Sequence, residues 1–224
     1  MEYIIKNKRT AFAFQVFAVL LAVLLAGCVK SYNEDDVGFA KIYIPQATIT
    51  GLDNSYPIPR GAFGINTSYT CYYGDGKLNI ALGVVRSGSF ATQKGFSVNV
   101  AMSQEDTSEK LSKMAEDGDD AIQLPSGVYT IPGSVSVEAG KNTGTFYMSV
   151  DMRALASQSA SIEGDGAWKK LALGVKISNP TEYELAEKNT SIVVVIDLNN
   201  DAWDKATGPE KEVRTLFPNL KVSE

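Results

Sequence analysis

Several runs of the sequence alternate apolar residues with polar or small ones at a period of two. The runs are residues 78–85, 96–102, 134–139, 143–150, 171–177 and 192–198. This period places successive side chains on opposite faces of an extended strand, whereas a helix would require a period near 3.6. The triplet Gly74-Asp75-Gly76 precedes the first run and is typical of a β-hairpin turn. The alternation predicts a chain built mainly of half-buried strands.

Two further stretches, residues 41–45 and 69–73, also favour strands because they are rich in aromatic and β-branched residues. Residues 107–116 favour one short helix, which Thr107 or Ser108 would cap. Seven to eight short strands with turn residues between them are typical of a β-sandwich. The sequence therefore predicts an all-β fold, an antiparallel sandwich of the immunoglobulin-like (Ig-like) type, as an architecture without the Cys–Trp–Cys spacing of antibody domains.

The last run differs from the others because both of its faces are apolar. Val193 and Val195 lie between the alternating apolar positions of residues 192–198, which predicts a strand buried on both sides. We assign residues 39–198 to the Ig-like domain. Residues 199–224 contain no alternating run and are expected to form a C-terminal tail.

The N-terminal segment has the features of an export signal. An apolar stretch, residues 11–26, follows three basic residues and ends at Leu25-Ala26-Gly27-Cys28, which predicts a secretory signal peptide over residues 1–27. The final motif resembles the bacterial lipobox, and this resemblance implies that Cys28 is lipidated and becomes the first residue of the mature protein. The alternative, a single transmembrane helix, requires about 20 apolar residues, more than this stretch contains.

Residues 28–38 are polar and acidic, with Glu34, Asp35 and Asp36 in sequence. One interpretation is a solvated tether between the lipid and the domain. The other is an address, because in Bacteroidetes lipoproteins acidic residues soon after the lipidated Cys direct the protein to the outer face of the outer membrane. We expect a lipid-anchored protein of the outer membrane that faces the cell surface.

Charge and residue usage exclude several classes of function. The net charge of −5 becomes −7 when residues 1–27, with three basic residues and one acidic residue, are removed, so no nucleic-acid partner is expected. The sequence contains no histidine, which excludes His-dependent catalysis. With Cys28 lipidated, Cys71 has no intrachain disulfide partner, and we expect it to be a buried, inert thiol. We expect no enzymatic activity and no cofactor.

Two acidic clusters are candidate metal sites. Asp117, Asp119 and Asp120 lack the alternating spacing of a calcium loop. Asp197, Asn199 and Asp201 do alternate, but the Gly and Glu that an EF-hand requires further along are missing. We therefore predict no metal site, and a looser calcium site at the second cluster stays open as an alternative. Hydrolysis by paired carboxylates has no support in the spacing of the acids.

Aromatic side chains are the candidates for glycan binding, because a flat apolar ring can stack on the C–H face of a sugar. We select Trp203, Tyr72 and Tyr73 as a candidate glycan platform. Trp203 has an alternative role as a lid that packs over the end of the sandwich. Trp168 opens a strand and is expected to be part of the core.

Several segments, taken in order, resemble a family of Bacteroidetes surface lipoproteins with an Ig-like domain of unknown function. That domain is also the N-terminal module of some family-18 endo-β-N-acetylglucosaminidase proteins. The resemblance spans residues 39–198 and lies in the order and spacing of the segments. They are Ile42-Tyr43-Ile44-Pro45-Gln46-Ala47, residues 124–132, residues 134–141, residues 171–179 and Tyr183-Glu184-Leu185.

The resemblance implies a noncatalytic surface protein and supplies no ligand residues. Related accessory lipoproteins of polysaccharide-utilisation systems hold glycans near an outer-membrane importer. We therefore expect glycan capture or scaffolding in such a system, with the membrane, a glycan and an importer complex as partners. The alternative is a structural or adhesive subunit, such as a pilus-associated lipoprotein that pairs strands with a neighbour.

Overall fold

Twelve strands occur in the residues that the computed structural model describes, which are 40–49, 53–60, 70–88, 93–163 and 167–217. All of these residues belong to one unit, Gly38–Glu224. The predicted signal peptide, residues 1–27, and the predicted acidic tether, residues 28–38, lie outside the described residues. The strands are β1 (Lys41–Tyr43), β2 (Ser55–Ile58), β3 (Cys71–Gly74), β4 (Lys77–Arg86), β5 (Phe96–Ser103), β6 (Ala121–Gln123), β7 (Tyr129–Thr130), β8 (Ser134–Val137), β9 (Thr143–Asp151), β10 (Lys170–Ser178), β11 (Glu184–Leu185) and β12 (Ser191–Ile196).

Sheet 1 contains six strands in the order β11-β1-β4-β9-β7, with β3 also paired to β4. Its centre is the antiparallel pair of β4 and β9, which runs from Lys77 opposite Asp151 to Val85 opposite Thr143. The predicted hairpin is confirmed: Gly74 pairs with Lys77, and the two residues between them, Asp75 and Gly76, both have positive φ, as a tight two-residue turn requires.

Sheet 2 also contains six strands, in the order β2-β12-β10-β5-β8, with β6 alongside β10. The long central strand β10 pairs antiparallel with β12 and with β5. Both sheets are mixed, because β1 runs parallel to β11, β6 to β10 and β2 to β12. The all-β sandwich is confirmed, but it has more strands than predicted and is not purely antiparallel.

The core lies between the two sheets and is formed by the inward-facing positions of the alternating runs. These residues are less than a tenth exposed, and each contributes about 1.5–3 kcal/mol through burial of its apolar side chain. The central members are Leu78, Ile80, Leu82 and Val84 of β4, Leu171, Leu173, Val175 and Ile177 of β10, and Ile192, Val194 and Ile196 of β12.

The outer face of sheet 2 is covered by a helix. Helix α1 (Gln104–Glu116) packs on β10 and β12, where Met114 joins Val193 and Val195 in a second apolar cluster. The predicted double-sided burial of the last strand is thereby confirmed. The helix begins earlier than predicted, because Ser103 rather than Thr107 or Ser108 is the N-cap and accepts the Asp106 N–H.

Residues 199–217 are part of the domain, contrary to the boundary predicted at residue 198. After β12 the chain forms 3-10 turns at Asp201–Trp203 and Gly208–Glu210 and then a short helix, Lys211–Leu216. Trp203, Val213 and Phe217 are at most 1% exposed and belong to the main core cluster. Two other short helices are Met152–Ala156 and Ser159–Ile162.

Candidate functional site

Two tyrosines project together from the outer face of sheet 1. Tyr72 of β3 is 46% exposed and Tyr147 of β9 is 45% exposed. Their strands lie on either side of β4, so their backbones are roughly 9–10 Å apart. The ring centroids are only 5.6 Å apart, with the ring planes at 79°. Both rings therefore lean over β4 and meet edge to face, an arrangement that aromatic pairs prefer.

Small and polar residues of β4 make room for this pair. Tyr147 lies opposite Ala81, and Asn79 lies between Tyr72 on one side and Ser149 on the other. The Ser149 hydroxyl donates a hydrogen bond to the Asn79 side-chain oxygen at 2.6 Å. The tyrosine pair therefore stands beside an ordered amide and hydroxyl that can exchange hydrogen bonds with a bound molecule.

Two depressions flank Tyr147. The first has a volume of about 440 Å³, and its lining includes Pro45, Gln46, Ala81, Gly83, Thr145 and Tyr147. The second has a volume of about 600 Å³, and its lining includes Thr130, Pro132, Ser134, Ser136, Thr145 and Tyr147. Both depressions are open to solvent rather than enclosed. Neither lining contains an acidic or basic residue, although 21% of the chain is charged.

The predicted platform residues are not brought together. Tyr72 is on the surface, but Tyr73 is 4% exposed because it follows Tyr72 in the strand and so faces the core. Trp203 is 1% exposed, and its indole N–H donates to the Asp197 carbonyl at 2.9 Å. Neither face of that ring is open to a sugar, so Trp203 packs as the lid that the sequence offered as an alternative. Cys28 lies outside the described residues.

Sequence reasoning missed Tyr147, although the signal was present. Residues 143–150 alternate strictly, and their inward positions are Phe146, Met148 and Val150. Tyr147 therefore falls on the outward face, between Thr145 and Ser149. An aromatic residue on the polar face of an alternating strand is the pattern that would have identified it.

Each of the two acidic clusters contains an aspartate that forms an ion pair with a lysine. Asp119 Oδ1 is 2.6 Å from Lys170 Nζ, and Asp201 Oδ2 is 2.7 Å from Lys205 Nζ, which holds the pKa of Asp201 below its usual range. Asn199 Oδ1 instead accepts the backbone N–H of Trp168 at 2.9 Å. Within the described part of the chain, no group of three or more His, Cys, Asp or Glu side chains is arranged to hold a metal ion.

The Cys71 thiol is buried, with 2% of the residue exposed, and burial raises its pKa to about 12. The thiol therefore stays protonated at neutral pH.

Among the residues that the structure covers, no helix is long and apolar enough to cross a bilayer.

The solved structures to which this chain is similar come mainly from Bacteroides. A Bacteroides ovatus protein of unknown function has a TM-score of 0.50 at 12% identity, over 70% of this chain and 46% of its own. A candidate carbohydrate-binding protein from the same species has a TM-score of 0.46 at 11% identity, over 70% and 36%. An auxiliary nutrient-binding protein from Bacteroides thetaiotaomicron has a TM-score of 0.42 at 17% identity, over 67% and 46%.

These likenesses bear on the fold alone. The superposition on the first of these proteins is consistent with the sandwich described above, and this chain spans less than half the length of each of the three. No family model matches the sequence, and a search of curated proteins finds no match. Membership of the lipoprotein family stays a prediction.

Proposed function

We propose that the protein is a noncatalytic, lipid-anchored protein of the outer membrane that captures glycans on the outer face of sheet 1. It would serve as an accessory to polysaccharide uptake beside an importer. The observation that carries the proposal is the exposed pair Tyr72 and Tyr147. On sheet 2, α1 covers Val193 and Val195, whereas sheet 1 exposes both tyrosine rings.

The chemistry of this face suits sugars. A tyrosine ring offers an apolar surface for the C–H groups of a pyranose, and its hydroxyl exchanges hydrogen bonds at the rim. Asn79 and Ser149 supply further donors and acceptors beside the rings. The absence of histidine from the sequence and the lysine partners of Asp119 and Asp201 support a binding role rather than a hydrolytic one.

Replacement of either tyrosine by alanine should weaken glycan binding by about tenfold or more, because truncation of a central aromatic contact typically costs about 2 kcal/mol. The measurement is calorimetric titration of the full chain, solubilised in detergent, against a panel of plant and host polysaccharides. Calorimetry is preferable to intrinsic fluorescence, because Trp168 and Trp203 are both buried.

The matched control is Met102→Ala. Met102 is a large apolar side chain that is 37% exposed on β5 of sheet 2, so its truncation removes comparable surface away from the tyrosines. This variant should bind like the unaltered protein. Equal affinity in Tyr72→Ala, Tyr147→Ala and the unaltered protein, or no binding to any polysaccharide, would refute the proposal.

The membrane anchor has a separate test. The lipobox-like motif ending at Cys28 supports lipidation, and Cys28→Ala should abolish incorporation of a palmitate analogue in growing cells and release the protein from the membrane fraction. Cys71→Ala is the control, because that thiol is buried and should not affect labelling. Undiminished labelling of the Cys28 variant would show that the anchor is elsewhere.

A further inference from the structure

Tyr147 lines two separate depressions, and the second extends from sheet 1 to β8, the neighbouring edge strand of sheet 2. The first lies on its β4 side, beside Pro45 and Gln46, and the second lies towards β7 and β8, beside Thr130 and Ser136. Thr145 and Tyr147 line both. A ligand that ended at the ring would use one depression, whereas a chain that crosses β9 would fill both and place one unit against the ring.

Both depressions are neutral and rich in hydroxyl groups. Thr130, Ser134, Ser136 and Thr145 are exposed around the second depression, and each hydroxyl can both donate and accept, as sugar hydroxyls do. In the first, Gln46 Oε1 accepts the Gly83 N–H at 3.2 Å, which leaves the side-chain NH₂ group as the donor. The linings offer no cation to pair with a carboxylate or sulfate.

The net charge of the protein also disfavours an acidic ligand. The chain has a net charge of −5, which repels polyanions. A carboxylate bound in either depression would lose part of its hydration and would meet no cationic partner. The chemistry of the two linings therefore selects for an uncharged chain.

The angle between the two rings adds a second restriction. Tyr72 and Tyr147 are inclined at 79°, so they do not form the coplanar row that would lie flat on the surface of a crystalline polysaccharide. One ring can stack on a sugar, while the edge of the other ring contacts that sugar from the side. This geometry fits a single, soluble glycan chain.

From these observations we propose that the site binds a neutral, soluble glycan chain along its length, with one sugar ring on Tyr147 and neighbouring sugars in the two depressions. This inference rests on the proposed glycan-binding function and names its ligand class. It predicts that affinity rises as the oligosaccharide becomes longer, until both depressions are filled. It also predicts that a negative charge, placed on the glycan or on a lining residue of the protein, abolishes this increase in affinity.

The experiment compares neutral polysaccharides with their charged counterparts. Galactomannan, glucomannan, laminarin and pullulan are titrated into the full chain, as are the same polymers oxidised at C6 to carboxylates. Oxidation should weaken binding by about tenfold, because a carboxylate bound at a surface without a cationic partner loses part of its hydration and gains no ion pair in return. Oligosaccharides of increasing length, cut from the polymer that binds best, give the length dependence.

Matched variants place the charge on the protein instead. Thr145→Asp and Ser136→Asp should each reduce affinity for the neutral polymer by about tenfold more than Thr145→Asn and Ser136→Asn do, because Asn has nearly the shape of Asp and hydrogen-bonding capacity but no charge. Thermal unfolding of each variant verifies that the fold is intact.

The outcomes separate this inference from the proposed function. If no polymer binds, both are overturned. A polymer can bind in a manner that depends on Tyr147 while its oxidised form binds equally well and the Asp variants keep the affinity of the unaltered protein. In that case the proposed function stands and the neutral-chain inference fails. Affinity that is already complete with a single sugar also overturns the inference, whereas length dependence together with loss on oxidation supports it.

Discussion

At the scale of single residues, Cys71 and Tyr72 show how the two faces of β3 differ. They are neighbours in one strand, so one side chain enters the core and the other faces solvent. Cys71 is 2% exposed, whereas Tyr72 is 46% exposed. The same alternation that displays a candidate ligand platform therefore removes the thiol from solution.

This burial predicts an unreactive thiol. Because burial raises the pKa of Cys71 to about 12, the native state contains almost no thiolate, which is the reactive form. With Cys28 replaced by Ser, Cys71 is the only thiol in the sequence. A thiol-specific disulfide reagent should then react slowly with the native protein and rapidly after denaturant is added, and equal rates in the two states would contradict the burial.

At the scale of elements, Gly174 determines how closely α1 approaches sheet 2. A Cβ atom at Gly174 would lie 2.6 Å from the Ser103 carbonyl oxygen and 3.0 Å from Thr107 Oγ1. The Gly174 N–H also donates to that Thr107 hydroxyl at 2.8 Å, and the hydroxyl donates in turn to the Ser103 carbonyl at 2.6 Å. The first turn of the helix is thus fixed directly on the backbone of β10.

Gly174→Ala should therefore destabilise the protein by about 1–3 kcal/mol, the usual cost of an added group in a well-packed site. The free energy of unfolding in denaturant measures the effect. Gly133→Ala is the control, because a Cβ there meets nothing within 4 Å and the residue has no positive φ, so its change should stay within about 0.5 kcal/mol. Equal stability of the two variants would show that α1 can shift without cost.

The sequence predicts the long elements and the short strands β1 and β3, which are rich in aromatic and β-branched residues, but it misses the other short strands. The alternating runs correspond to β4, β5, β8, β9, β10 and β12, because each is long enough to display a period of two. Strands β6, β7 and β11 have two or three residues and show no period, and Pro57 conceals β2, an edge strand that tolerates proline. The start of α1 was misplaced because Ser103 ends a strand and caps a helix at once.

Sequence periodicity also predicts only part of the candidate site. Periodicity is sufficient to place Tyr72 and Tyr147 on an outward face, but it does not show that their rings meet over β4, because that depends on the pairing of three strands. For Trp203, no period surrounds the residue, so the sequence left its burial open. Its position was decided by tertiary packing, in which Val213 and Phe217 belong to the same core cluster.

At the scale of the whole molecule, the two sheets differ in what lies on their outer faces. Sheet 2 carries Val193 and Val195 under α1. Sheet 1 exposes Tyr147 with Thr145 on its outer side, and among the described residues only the short 3-10 helix Pro45–Thr48 contacts β4 there. The apolar outer face of one sheet and the polar, aromatic outer face of the other are both visible in the sequence. This asymmetry is what makes one side of the sandwich structural and leaves the other available for binding.

The core as a whole also predicts how stability depends on pH. Burial raises the pKa of Tyr56 and of Tyr73 from 10.0 to about 12, and that of Cys71 from 9.0 to about 12. The unfolded chain releases these protons near the ordinary values, while the native state retains them. Above pH 9 the unfolded state therefore binds fewer protons than the native state, and stability falls as pH rises.

Below pH 9 these three groups should leave the free energy of unfolding unchanged. Between pH 9 and pH 12 the free energy of unfolding should decline. Denaturant titrations at a series of pH values measure the slope. Tyr56→Phe removes one ionisable group from the core and should make the decline shallower, whereas Met102→Ala, which changes no titratable group, should leave it unchanged. A stability that stays constant over this interval would mean that the buried tyrosines and thiol ionise alike in both states, and so that the core admits solvent.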